Sequence, residues 1–83
     1  MHYVYVLKSL KDGLLYIGYT NDLKRRFAEH NAGLSKATKP RTPFQLVYYE
    51  AYKSRADAVA REKNLKLYSR AYQQLRSRIA GSL

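Results

Sequence analysis

Apolar and polar positions alternate from the second residue of the chain. Over residues 2–8, Tyr3, Tyr5 and Leu7 fall on one face of an extended segment, and Val4 and Val6 on the other. Lys11-Asp12-Gly13 then marks a turn, because Asp-Gly accepts the positive φ of a tight hairpin. Leu14 to Tyr19 is the returning strand. Both faces of this hairpin are apolar, which predicts a sheet covered on two sides. Thr20, Asn21 and Asp22 place side-chain oxygens where a helix start needs acceptors. The helix should run to about Asn31 or Ala32, with Gly33 in the left-handed position beyond it. Leu34 to Pro43 holds two prolines and the basic residues Lys36, Lys39 and Arg41, and reads as an exposed loop. Phe44 to Tyr52 is a third strand. Ser54-Arg55-Ala56-Asp57 is a capping signature, and the helix it opens should reach about Lys66. Ser69 to Ile79 is a further helix, with Tyr72, Leu75 and Ile79 at i, i+3 and i+7. Residues 80–83 read as a frayed tail. The pattern is β-β-α-β-α-α, a small antiparallel sheet with helices packed on it: an α+β domain over residues 1–80 with a tail at 81–83.

Composition narrows the function classes. A chain of 83 residues makes one domain with a modest core. It has no cysteine, so disulfides and thiolate zinc sites are excluded, which fits a reducing compartment. No apolar run approaches the roughly 20 residues of a membrane span. The N-terminus lacks the basic start and long apolar stretch of a signal peptide. The expectation is a soluble, cytoplasmic protein that does not engage a membrane. The formal net charge is +10, from 16 Lys+Arg against 6 Asp+Glu. Such an excess favours a polyanionic partner, nucleic acid above all, because each neutralised phosphate releases counterions. A basic surface that touches ribosomes or lipids nonspecifically accounts for the same charge.

Few residues are placed to do chemistry. Leu23 and Phe27 anchor the first helix to the sheet, and Arg26 and His30, also four apart, flank that stripe. A guanidinium and an imidazole are thus expected side by side at the sheet's edge. The arginine offers a planar fork of donors to phosphate oxygens. Two ordinary polar residues on a solvated basic helix fit the periodicity as well. Glu62 shares a helical face with Ala58, Val59 and Leu65, so it points to the core margin and wants a cation. That cation is either a metal ion or a neighbour: Lys66 four residues on, Arg61 or Lys63. A tyrosine has a pKa near 10 and acts as a base only when a nearby cation stabilises its phenolate. Arg26, or a metal at Glu62, could do this for Tyr5 or Tyr16; otherwise both are packing residues. There is no Gly-rich phosphate loop, no defensible Ser-His-Asp set, and with two histidines no His-rich metal site.

Taken in order, the runs Tyr3-Val4-Tyr5, Tyr16 to Asn31, Leu46 to Glu50 and Ala58 to Lys63 resemble the GIY-YIG nuclease family. The likeness extends from Tyr3 to about Lys66. It is greatest to small stand-alone bacterial members, which themselves resemble the N-terminal nuclease domain of the nucleotide-excision repair endonuclease. The first motif begins here with Tyr3 rather than glycine. The resemblance implies a three-stranded antiparallel sheet flanked by helices, and a metal-dependent endonuclease acting on nucleic acid, DNA more than RNA. It assigns catalytic roles to Tyr5, Tyr16, Arg26 and His30, and the single divalent ion, Mg²⁺ or Mn²⁺, to Glu62. Gly18 would keep the approach of the phosphate backbone free of a side chain. Lys36, Lys39, Arg41, Arg70, Arg76 and Arg78 are expected to track the backbone. A non-catalytic nucleic-acid-binding module that kept the fold and charge is the alternative.

Overall fold

A computed structural model describes all 83 residues. Strand β1 (His2–Ser9) turns into β2 (Leu15–Thr20), helix α1 (Leu23–Asn31) follows, and β3 (Phe44–Tyr52) leads to α2 (Arg55–Leu67) and α3 (Ser69–Arg78). The sheet order is β2-β1-β3, antiparallel throughout, so β1 is central and β2 is an edge. This is the expected class, order and strand number.

Alternation along β1 builds two cores. Val4 and Val6 meet Ile17, Ala58, Leu65, Leu75 and Ile79 on the face covered by α2 and α3. Tyr5 and Leu7 meet Phe44, Tyr16, Leu23 and Phe27 on the face covered by α1. The hairpin is therefore sandwiched, which is why β1 is apolar on both sides. Each fully buried aliphatic side chain contributes roughly 1.5–3 kcal/mol.

The turns follow from local chemistry. Ser9 Oγ accepts from the amides of Lys11 and Asp12, and Gly13 takes φ +74° to close the hairpin. Asp22 caps α1 by accepting from Arg25 N at 3.1 Å, and Gly33 beyond its end has φ +75°. Ser54 caps α2. Opposite Val6 and Leu7 of β1, β3 presents Tyr48 and Leu46, so Val47 is an extra residue in a bulge. The bulge turns Leu46 and Tyr49 to the α1 face and both Val47 and Tyr48 to the other. On that second face Glu50 accepts from the hydroxyls of Tyr48 and Tyr52 and, in a two-toothed pairing, from Arg61 Nε and Nη2 at 3.0 and 3.1 Å.

Two stretches differ from the sequence reading. Within 34–43, residues Lys39–Arg41 form a 3₁₀ turn and Thr38 is fully buried, so this is not simply an exposed loop. At the C-terminus, Ala80–Ser82 wind into a 3₁₀ turn instead of fraying, because Leu83 packs against the α2–α3 core.

Candidate active site

Tyr5 lies at the middle of the central strand with its ring toward α1, and it is 1% exposed. Its partner across the ladder is Gly18 of β2, and the Tyr5 ring lies directly over that glycine. A Cβ at position 18 would overlap the Tyr5 hydroxyl and ring. The glycine therefore makes room for a tyrosine of the protein itself, a reason separate from the expected phosphate approach.

The Tyr5 hydroxyl meets Nε2 of His30 at 2.8 Å, and Nδ1 of the same imidazole meets Thr38 Oγ1 at 2.7 Å. His30 and Thr38 are both fully buried. The Tyr16 ring stands edge-on to the imidazole with centroids 5.2 Å apart. Burial, and after it the charge of Arg26, pushes the His30 pKa down, so the ring is neutral, donating from one nitrogen and accepting at the other. His30 is thus not the surface imidazole expected beside Arg26. Positions 23, 27 and 30 recur at i, i+4 and i+7, and His30 belongs to the inward stripe of α1 rather than its flank. Thr38 was missed altogether. No local pattern marks it, because its partner is a ring buried by other elements.

Arg26 remains one-third exposed, and its Nη1 donates to Glu29 Oε1 at 3.2 Å. Burial pushes the Tyr5 hydroxyl up to about 12; Arg26 opposes this, while the charges of Tyr16 and Glu62 add to it. Arg26 and Glu62 sit on helices that cover opposite faces of the sheet. The link between the two sides runs around the outer edge of β2, where Lys66, paired to Glu62, lies over the Tyr16 ring and Tyr16 packs on His30.

Glu62 is mostly shielded and accepts from Lys66 Nζ at 3.1 Å. That ammonium also lies 5.8 Å from the centre of the Tyr16 ring. The lysine partner considered for Glu62 is thus realised, and Arg61 is engaged by Glu50 instead. No group of three or more His, Cys, Asp or Glu side chains could hold a metal ion. The donor set at this edge is one carboxylate with a cation already against it. A lone carboxylate oxygen is the donor type that a hard divalent ion takes.

The other basic residues divide. Lys36 and Lys39 are exposed on the loop beside α1. Arg41 is not free to track a backbone as expected: Nε binds Asp12 Oδ2 at 2.7 Å, Nη2 donates to Leu14 O, and the guanidinium covers the Phe44 ring. It holds the loop to the hairpin. Arg70, Arg76 and Arg78 are exposed on α3, in the layer on the far side of the sheet from α1, so they do not continue the surface of Lys36 and Lys39. Asn31 was also missed; its side-chain amide exchanges two hydrogen bonds with the Phe44 backbone, at 2.7 and 3.1 Å, and ties the end of α1 to the start of β3.

No helix is long and apolar enough to cross a membrane. The chain matches the GIY-YIG catalytic domain over residues 1–76. It is 47% identical over 74 residues to a UPF0213 protein of Haloquadratum walsbyi, covering 88% of this chain and 82% of that relative. It is 49% identical over 70 residues to one of Staphylococcus haemolyticus, covering 83% and 84%. The solution structure of a UPF0213 protein from Bacillus halodurans superposes with a TM-score of 0.57 at 44% identity, covering 92% of this chain and 82% of that one. Sheet order, motif positions and these likenesses agree, and the chain belongs to the GIY-YIG family, whose domain is of the nuclease type.

Proposed function

We propose that this protein is a divalent-metal-dependent endonuclease that hydrolyses phosphodiester bonds of nucleic acid, with DNA as its substrate. One observation carries the reading: Tyr5 and Tyr16 both pack on the imidazole of the Arg26 helix, and Lys66 bridges Glu62 to the Tyr16 ring, so residues of four elements gather at the edge of β2. The net charge of +10 supplies the attraction for a polyanion.

In this reading a water oxygen attacks phosphorus in line with the departing 3′ oxygen, and a tyrosine in its phenolate form takes the water's proton. Tyr16 suits that task better than Tyr5. Tyr5 is buried, its hydroxyl is engaged by His30, and its pKa is pushed up to about 12, whereas Tyr16 is only half-buried on the edge strand. Arg26 donates to the non-bridging oxygens and neutralises the charge that grows there. His30 touches no substrate in this scheme; with Thr38 it is a positioning pair for Tyr5. Glu62 would hold Mg²⁺ or Mn²⁺, which when bound supplies positive charge at the departing oxygen. Lys36 and Lys39 contact the phosphate backbone.

The test is a cleavage assay with Mg²⁺ and Mn²⁺ over duplex, nicked, flapped, single-stranded and RNA substrates. Glu62→Ala should lose cleavage while keeping binding, or tightening it slightly, because a negative charge beside the phosphate is removed. Arg26→Ala should lose cleavage and bind modestly more weakly. Full cleavage by folded Glu62→Ala at saturating Mg²⁺ rules the metal assignment out.

A further inference from the structure

We propose that the cavity beside the start of α1 receives an unpaired nucleobase of the bound strand, next to the phosphate held at Arg26. The proposal rests on the nuclease reading above and deepens it, because it names the substrate class as strands with unstacked bases. The cavity is about 510 Å³, within the range of small-ligand sites. Its apolar walls are Tyr3, Leu23, Phe27, Leu46 and Tyr49. Neither tyrosine is used by the catalytic scheme.

The β3 bulge shapes this pocket. It brings Leu46 and Tyr49 to the same face, and Tyr49 pairs directly with Tyr5 across the ladder. An aromatic row therefore runs from the buried Tyr5 outward to Tyr49, which is 53% exposed. Tyr3 and Tyr49 stand edge to face with centroids 6.1 Å apart and planes at 65°. The pair offers one ring face and one ring edge to a flat, aromatic guest. Such side chains stack bases of any sequence, since every base has a π-face.

Position and charge select the guest. Tyr3 is two residues from Tyr5, roughly 7 Å along the strand, and Phe27 follows Arg26 on α1. A base in the cavity and a phosphate at Arg26 would thus belong to neighbouring positions of one strand. At the rim, the exposed Lys24 suits a phosphate left outside. Asp22 lies at the same rim; its carboxylate repels a phosphate from the interior but accepts from an exocyclic amino group. A second copy of the chain is disfavoured as occupant by its own charge of +10. A base held in a duplex cannot enter, so the pocket favours flaps, single strands and flipped nucleotides.

The test measures binding of a single-stranded oligonucleotide and a blunt duplex of equal length by fluorescence anisotropy, at one salt concentration and without divalent metal. Tyr49→Ala should weaken single-strand binding roughly tenfold and leave duplex binding within about twofold. Tyr49→Phe keeps the ring and should keep the affinity. Tyr3→Leu, which retains apolar bulk without a ring, should repeat the selective loss, and melting curves establish that each variant is folded. An unchanged single-strand affinity in Tyr49→Ala, an equal loss on duplex, or failure of Tyr49→Phe to restore binding overturns the pocket. Cleavage is scored separately on the wild type with Mn²⁺. Absence of cleavage on every substrate counts against the nuclease reading, while the binding results alone decide the pocket.

Discussion

Nε2 of His30 lies 2.8 Å from the Tyr5 hydroxyl, 25 residues earlier in the chain, and both side chains are buried. The contact couples the first helix to the central strand at the point where Tyr5 covers Gly18. It also makes His30 a neutral ring whose protonation the fold opposes.

A dependence of stability on pH follows. Burial, and then Arg26, depresses the His30 pKa in the folded state, so the unfolded chain binds this proton more readily. The histidine's contribution is fully present above its unfolded pKa of about 6.5 and is lost as pH falls below it. Wild-type Tm should drop between pH 7 and pH 5. His30→Phe should be less stable at pH 7 by about 2–3 kcal/mol, since two buried hydroxyls lose their partner, and its Tm should vary less over that window. An equal slope in both proteins would show that His30 is not the group responsible.

Gly18→Ala should be felt through Tyr5. The new methyl group overlaps the Tyr5 hydroxyl and ring, so the ring must leave its place against His30. Overpacking of this kind costs about 1–3 kcal/mol. Urea unfolding should register that loss, and cleavage per folded molecule should fall as well. Retention of wild-type cleavage by the folded variant would disconnect Tyr5 from the site.

Lys66 competes with any divalent ion for Glu62, because its ammonium already lies 3.1 Å from the carboxylate. Lys66→Met should tighten Mn²⁺ binding about two- to fivefold, the scale expected from removing an exposed ion pair. Glu62→Gln should abolish that binding. Titration followed by the electron paramagnetic resonance signal of free Mn²⁺ reads both. If Lys66→Met binds Mn²⁺ as the wild type does, the lysine is a bystander.

The basic loop should separate into two roles. Lys36→Ala with Lys39→Ala should lower nucleic-acid affinity and reduce the salt slope by about two units, one for each phosphate no longer neutralised, with Tm unchanged. Arg41→Gln should instead lower Tm, because Arg41 joins the loop to Asp12 and Phe44. Arg41 holds the Asp12 carboxyl down at about 2, so this link is complete above the usual carboxylate range and lost as pH falls toward 2. A Tm for Arg41→Gln equal to wild type at pH 7 would return Arg41 to the nucleic-acid surface.

Much of this protein is written locally in its sequence. Alternation in β1, the Asp-Gly turn, the Asp22 and Ser54 caps and the left-handed Gly33 each depend on neighbours within a few residues. They fix element order and, with two apolar faces on one hairpin, a sheet covered on both sides. The family resemblance rests on the spacing of Tyr5, Tyr16, Arg26 and Glu62, which is equally a property of the sequence alone. Tertiary structure decided what each side chain meets. His30 is interior because sheet, helix and loop close around it, and Thr38 matters only because its hydroxyl ends there. Gly18 is needed for a ring across the ladder, Arg41 is taken up by a hairpin turn, and Tyr49 faces α1 only because a bulge shifts its strand by one residue. These contacts join positions far apart in the chain. Periodicity reports which way a residue points relative to its own element, and carries no information about which other element stands opposite.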